Sequence, residues 1–362
     1  MAKIGSSSLT DGHGQISHPA IDKLATEVAG LRTQGHRVVI VTSGAIAAGL
    51  PAVGMTGTRQ VDVSTLQAVS SVGQIKLMAA YDAALGRHGL VPGQVLLSKL
   101  DLMERSHAVQ AQETFERLLH LGAVPVVNEN DAVADDEIRY GDNDQLAALV
   151  AHLVTADLLV LLTDTSGLHS ADPRLDANAS LIDEIVEFDR DVERALVGGP
   201  GTVRGSGGMV SKVYAAKMAA WSGIRTVIAA AERPGVLAAA VAAEPGVGTV
   251  VWPRHRRLAA RKLWIAFAQG HGGVVEVDEG AREALVERHT SLLPVGVIGA
   301  RGDFRAGDAV EIADKAGTVF AKGLVRMSAA DVRTYAGWRT KDLPEGVPHE
   351  VVHRDDLVFP MS

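Results

Sequence analysis

The chain has 362 residues, with 35 Lys/Arg against 43 Asp/Glu for a net charge of −8, and is 47% apolar and 22% charged. These are ordinary proportions for a globular protein; they exclude a disordered chain, and the 38 glycines follow no collagen repeat. Cysteine is absent, which excludes disulfides, thiolate metal sites and cysteine nucleophiles together. No apolar run approaches the roughly 18 residues of a membrane span. The opening residues have no apolar signal core, so a cytoplasmic protein is expected. At roughly 150 residues per domain, the length predicts two or three domains.

Up to about residue 250, short apolar runs alternate with helix-length patterns. A helix is predicted over Ile21–Arg32, then a strand over Val38–Thr42, continuous and β-branched as suits a strand covered on both faces. Further helices are predicted over Thr65–Gly86, Ala108–Leu121, Gln145–Val154 and Met209–Ser222. Strands are predicted between and after them, at Val95–Leu97, Val124–Val127, Leu158–Leu162 and Thr226–Ile228. This alternation predicts an α/β layer fold with a mostly parallel sheet, whose ligands sit at the carboxyl ends of the strands. After Trp252 the pattern changes. Pro253–Arg257 with Arg261 and Lys262 reads as a basic linker. Beyond it, Val275–Val277, Val310–Ile312 and Val319–Ala321, with a turn at Asp314–Gly317, predict a small antiparallel β domain with a couple of helices. The boundaries read as 1–252, a linker over 253–270, and 271–362.

Polar clusters gather where the first domain's strands end. Gly205–Lys212 opens a helix; its glycines leave backbone N–H groups free to face an anion, and Lys212 can act as a point charge on phosphate. It is neither a Walker A loop nor a dinucleotide fingerprint, and a flexible glycine turn with a solvated lysine is the plainer alternative. Asn128–Asp131 follows one strand and Gly141–Asp144 precedes a helix. Capping explains one such polar residue at a helix start, not three. Ser43 follows another strand, as an N-cap or as a substrate contact, in a segment that lacks the G-x-S-x-G of a nucleophile elbow. Thr163–Asp164 ends the most apolar strand, where a polar pair can hold a nucleotide. The 13 histidines show no metal-binding spacing, so no histidine metal site is expected.

Taken in order, Lys3–Ser7, Val41–Gly49, Val127–Val133, Gly141–Asp144, Leu162–Asp164 and Gly205–Lys212 resemble the glutamate 5-kinases (γ-glutamyl kinases) of the amino-acid kinase family. Val277–Ala281, Ser291–Pro294 and Gly302–Phe304 are similar to a PUA domain. The resemblance implies a three-layer αβα sandwich with a mostly parallel sheet, followed by a small β-rich PUA-like domain. It implies a kinase that phosphorylates the side-chain carboxylate of L-glutamate with ATP and Mg²⁺, the first step towards proline. Carried over residue by residue, it implies that Lys3 and Lys212 face the transferred phosphate and that Asp144 orients them. Ser43, Asp131 and Asn143 match the glutamate-binding positions. Lys3, Thr163, Asp164, Ser206, Gly207, Gly208, Met209, Val210, Ser211 and Lys212 match the nucleotide-binding positions, and no side chain is assigned to the metal. Ser206 and Ser211 stand where the family usually has threonine, and both keep the hydroxyl.

The same resemblance implies feedback inhibition by proline, a homo-oligomer, and handover of the acyl phosphate to a glutamyl phosphate reductase, with no membrane partner. Relatives usually carry several residues before the lysine, whereas only Met1 and Ala2 precede Lys3 here; Lys3 is therefore expected to be held less firmly than Lys212. Two other readings stay open. One is a kinase of another carboxylate, a carbamate or a nucleoside phosphate on the same fold. The other is an RNA-binding protein acting through the PUA-like segment. Against RNA, residues 265–362 carry 11 Lys/Arg and 15 Asp/Glu, a net of −4, where a phosphate-binding face would be basic.

Overall fold

The computed structural model describes residues 1–11, 14–55, 61–98, 101–102, 104–133, 142–171, 176, 178–188, 207–254, 258, 260–267 and 272–359. The chain divides into two compact units, Met1–Arg257 and Leu258–Ser362.

The strands of the first unit are β1 (Ala2–Ile4), β2 (Ile40–Thr42), β3 (Pro92–Leu97), β4 (Val124–Glu129), β5 (Leu158–Thr163), β6 (Glu184–Ile185), β7 (Arg225–Ala230) and β8 (Thr249–Val251). They form one sheet in the order β3-β4-β2-β1-β5-β7-β8-β6. Every neighbouring pair is parallel except β7 with β8. Its longer helices are α1 (His18–Thr33), α2 (Ala45–Ala52), α3 (Val63–Gly86), α4 (Arg105–His120), α5 (Asp142–Leu153), α6 (Gly207–Trp221) and α7 (Val236–Val241), and a single helical turn, Ser6–Leu9, follows β1. Ser17 starts α1 by accepting from Ala20 N, and Asp62 starts α3 by accepting from Thr65 N, each satisfying an orphan donor of the first turn.

Both faces of the sheet are covered, as continuous apolar strands require. Ile4, Ile40, Val126, Val160 and Leu162 pack with Leu24 and Val28 of α1, Leu77 and Tyr81 of α3, and Leu237 of α7. The alternate positions Leu159, Leu161 and Ile228 are equally buried. On their side α4, α5 and α6 pack against β4, β5 and β7. The result is the expected three-layer α/β arrangement.

Helices α2 and α3 cross with backbone against backbone. A Cβ on Gly73 would fall 1.7 Å from Ala45 O, and one on Gly49 would fall 2.1 Å from Val69 O. The crossing anchors the turn between β2 and α2, where Gly44 adopts φ +104 and is itself the N-cap. Ser43 is therefore not the cap, because the left-handed conformation at that position suits glycine. The Thr42 and Tyr81 hydroxyls, 2.8 Å apart and buried, tie the end of β2 to α3.

β1 lies in the middle of the sheet. Lys3 is in register with Val41 of β2 and Leu161 of β5. A three-residue strand laddered on both sides is not a fraying end, so the expectation of a loosely held Lys3 is corrected. Among the described residues no helix is long and apolar enough to cross a membrane.

The second unit is a five-stranded sheet. Its strands are β9 (Gly273–Val277), β10 (Val297–Gly302), β11 (Ala309–Ala313), β12 (Val319–Val325) and β13 (Val352–Val358), in the order β10-β9-β11-β12-β13. The expected antiparallel pattern holds except at β9 and β11, which run parallel. Helices α8 (Ala260–Phe267), α9 (Glu279–Val286) and α10 (Ala329–Tyr335) accompany it; Asp278 caps α9, and Ser328 with Asp331 forms a capping box on α10. The stretch 253–270, read as a linker, contains α8, which packs on β12 and β13. Its apolar side chains Leu263, Ile265 and Phe267 are buried, and their burial accounts for a helix where the basic residues suggested a connector. Arg254 belongs to the first unit: its N–H donates to Ala220 O, and its guanidinium lies 4.9 Å from the Trp221 ring centre.

Candidate active site

Three of the predicted residues meet at the carboxyl side of the sheet. Lys3 comes from β1, Asp144 from the first turn of α5, and Lys212 from the first turns of α6. Lys3 Nζ is 2.5 Å from Asp144 Oδ1 and Lys212 Nζ is 3.4 Å from Oδ2. Ser211 Oγ donates to Oδ2 at 2.7 Å, and Lys212 Nζ also donates to Gly208 O at 3.1 Å. Lys3 is 3% exposed, Asp144 0% and Lys212 6%. A carboxylate in the first turn of a helix is favoured by the helix dipole. Gly5 leaves room beside the cluster, since a Cβ there would stand 3.2 Å from Lys3 Nζ.

Burial alone would raise the Asp144 carboxyl. The charges of Lys3 and Lys212, with hydrogen bonds from Lys3 and Ser211, outweigh it and hold the group below its ordinary value. Burial is also the largest influence on the Lys3 ammonium and lowers it, against the opposing pull of Asp144; Lys212 lowers it further. Both Asp144 oxygens are engaged, Oδ1 by Lys3 and Oδ2 by Lys212 and the Ser211 hydroxyl.

The remaining predicted residues lie at or just past the ends of neighbouring elements of the sheet layer. Asn143, next to Asp144, accepts from the backbone N–H of Glu129 at 3.2 Å and so ties α5 to the end of β4. Asp131 lies in a short 3₁₀ turn just past β4 and lines a cavity of about 250 Å³ with Ser70, Gln74, Gln94, Glu129 and Asn130. Ser43, half-buried, follows β2, which lies between β1, the strand of Lys3, and β4, the strand that Asp131 follows. Thr163, buried, and Asp164, exposed, end β5 on the other side of β1, with Thr163 Oγ1 donating to Asp164 Oδ1 at 3.0 Å. Gly207, Gly208, Met209 and Val210 form the opening turn of α6. Ser206 lies outside the described residues.

Sequence reading missed a chain of carboxamides next to the cavity. Asn128 Oδ1 accepts from Glu129 N at 2.9 Å, Asn128 Nδ2 donates to Gln74 Oε1 at 2.9 Å, and Gln74 Nε2 donates to Gln94 Oε1 at 3.1 Å. The signal that marks it is Gln74 itself. It falls on the buried stripe of α3 with Gly73, Leu77 and Tyr81, where an unexplained polar residue is out of place.

Comparison with known proteins identifies the family. A family model described as "Amino acid kinase family" matches residues 2–230, and one described as "PUA domain" matches residues 273–347. A glutamate 5-kinase of Trichlorobacter lovleyi is 45% identical over 361 residues, covering 99% of this chain and 95% of its own. The glutamate 5-kinase of Frankia casuarinae is 46% identical over 364 residues, covering 99% and 96%. That of Anaeromyxobacter dehalogenans is 44% identical over 364 residues, covering 99% and 95%. With matches of this length and identity, the chain belongs to the amino acid kinase family, alongside the glutamate 5-kinases and with a PUA domain following its kinase domain.

Proposed function

We propose that this chain transfers the terminal phosphoryl group of ATP to the side-chain carboxylate of L-glutamate. The observation that carries the reading is the buried cluster of Lys3, Asp144 and Lys212, in which two ammonium groups face one carboxylate. The surplus positive charge, held away from water, is complementary to a polyphosphate.

The chemistry asks little more of the protein. A glutamate side-chain carboxyl has an ordinary pKa of about 4.3, so it is ionised at neutral pH and needs no general base. Its oxygen forms a bond to the terminal phosphorus, the bond from that phosphorus to the bridging oxygen breaks, and ADP leaves with the electron pair. What has to be supplied is in-line positioning and stabilisation of the moving charge. Lys3 and Lys212 stabilise the phosphoryl group, held at a fixed separation by Asp144. The free N–H groups of the opening turn of α6, from Gly207 to Met209, face the phosphates, with Thr163 and Asp164 towards the rest of the nucleotide. Asp131 is the partner for the substrate ammonium, and Ser43 and Asn143 are neutral hydrogen-bonding groups along its length.

Magnesium takes oxygen ligands and usually keeps waters and substrate phosphates in its shell. The one buried carboxylate here, Asp144, is already shared by Lys3, Lys212 and Ser211. The residues therefore fit a magnesium ion carried by the phosphates that the two lysines hold, with no protein cage around it. When bound, the ion supplies further neutralisation of phosphate charge. The product, an acyl phosphate, hydrolyses readily, which favours direct use by a reductase on the route to proline. A cytoplasmic homo-oligomer inhibited by proline completes the reading.

The test is ADP release in the presence and absence of glutamate, with hydroxylamine trapping of the acyl phosphate. Glutamate-dependent hydroxamate is expected. ADP release without hydroxamate, or preference for aspartate, N-acetylglutamate or UMP in competition, overturns the assignment.

A further inference from the structure

One hydroxyl hydrogen sets how the buried charges around Asp144 are held. Ser211 Oγ stands 2.7 Å from Asp144 Oδ2 and 2.9 Å from Gly208 O. Both neighbours are acceptors, and a serine hydroxyl carries a single hydrogen. A helical serine often spends that hydrogen on the carbonyl of the preceding turn, here Gly208. The carboxylate is the nearer acceptor and is charged, so the hydrogen goes to Asp144. Gly208 O is not left bare, because Lys212 Nζ donates to it at 3.1 Å.

This sharing sets the two lysines apart. Lys3 Nζ lies 2.5 Å from Oδ1 and has no other acceptor among the described residues. Lys212 Nζ lies 3.4 Å from Oδ2, longer than the ~2.7–2.9 Å of a charge-assisted hydrogen bond, and is nearer to Gly208 O. At short range Oδ2 belongs to Ser211, which is itself buried. Lys3 is held tightly and Lys212 loosely. Moving the Lys212 ammonium towards a phosphate leaves no buried carboxylate oxygen unpaired, because the serine stays on it.

We propose that Ser211 is a positioning residue whose hydroxyl takes the place of Lys212 on Asp144 and so frees the Lys212 ammonium to follow the transferred phosphoryl group. Its side chain acts through Asp144 and Lys212, a different task from the nucleotide contact that the family resemblance implies. The inference rests on the phosphoryl-transfer reading above.

The experiment compares full-length Ser211→Val with Ser211→Thr, two side chains of one shape that differ in the hydroxyl. Turnover is followed by ADP release, and ADP binding by calorimetry. Without the hydroxyl, Oδ2 draws Lys212 in from 3.4 Å and keeps it. Ser211→Val should therefore lower kcat roughly tenfold, the scale of a hydrogen bond to a charged group. The KM for ATP and the affinity for ADP should change by less than about twofold, the scatter expected of uncoupled sites. Ser211→Thr should keep kcat near that of the wild type. In a Lys212→Met background the Ser211→Val exchange should cost almost nothing further, since no Lys212 is left to free. Should Ser211→Val fail to fold, Ser211→Ala takes its place in the same comparisons.

Equal kcat in the Val and Thr variants overturns the inference. A loss that appears in the KM for ATP also overturns it, since the hydroxyl would then touch the nucleotide. So does a loss that persists in full beside Lys212→Met, which would show that the serine acts without that lysine. A wild type that releases ADP but forms no hydroxamate overturns the glutamate reading alone, and the kcat for ADP release still decides the role of Ser211.

Discussion

Around Asp144 three charged side chains are buried, two positive to one negative. Across the sheet, Gln74 and Asn128 are buried to 9% and 2% exposure, and that cluster carries no charge at all. Burying ions is costly, and a buried pair rarely adds net stability over an apolar substitute. A chain of carboxamides whose two buried members, Asn128 and Gln74, are paired along it and whose third, Gln94, is exposed costs little. The difference teaches where charge is worth burying. In the proposed reaction the charge on the phosphoryl group moves at the lysine end, and full charges fixed in place would stabilise that movement. The carboxamides carry no charge to be stabilised, and oriented dipoles suffice to hold them together.

Four measurements break or sharpen this contrast, from the largest expected effect to the smallest. Asp144→Asn leaves two buried ammonium groups without their counter-charge. It should cost about 3–5 kcal/mol of stability and lower kcat by at least ~100-fold by misplacing the lysines, read by chemical denaturation and ADP release. It should also change the acid limb of stability. The Asp144 carboxyl is held below its ordinary 3.8 in the folded chain. Its contribution is therefore complete above pH 3.8 and is lost as pH falls through the lower folded value. Wild type and Asp144→Asn should converge on acidification, whereas a Gln74 variant should run parallel to wild type.

Lys212→Met keeps Asp144 paired with Lys3. It should lower kcat by ~100-fold with a much smaller change in the KM for glutamate, because its charge matters most as phosphoryl charge redistributes. Near-normal turnover would remove Lys212 from the chemistry. Gln74→Leu should cost about 1–3 kcal/mol by leaving the buried Asn128 Nδ2 short of a partner, seen as a lower melting temperature with kcat nearly kept. A fall in kcat as large as that of Lys212→Met would erase the contrast between the two ends. Ending the chain after residue 257 should change turnover least, since every residue assigned to the reaction lies in the first unit. The cut falls beyond Arg254 so that its stacking on Trp221 is kept. A folded truncation with no activity would show that the second unit completes the site.

The charged end was readable in the sequence and the neutral end was not, for a physical reason. Strands covered on both faces show as unbroken β-branched runs such as Val38–Val41, and they brought the fold class with them. Lys3, Asp144 and Lys212 stand in short polar segments at element ends, where a motif is compact. Gln74, Gln94 and Asn128 come from a helix interior and two strands, 20 and 54 residues apart along the chain. No local pattern joins them. Lys3 misled because distance from the chain end was taken as a measure of fraying; pairing on both sides decides that instead. The helix α8 was hidden by its own basic residues, which lie on the same short segment as its buried apolar ones.

Replacing glycine with alanine inside helices is a standard way to make an enzyme more heat-resistant, by roughly 0.5–1 kcal/mol per site. In this chain the same exchange has opposite signs at different helical glycines. Gly30 in α1 and Gly86 at the end of α3 have nothing within 4 Å of an added methyl group, and alanine there should stabilise. Gly49 and Gly73 lie where two backbones touch, so the most helix-favouring residue would drive α2 and α3 apart and carry the Ser43–Gly44 turn with them. An engineering library built on helix propensity alone would therefore include variants that displace this turn, and the close crossing tells the designer which two positions to leave out.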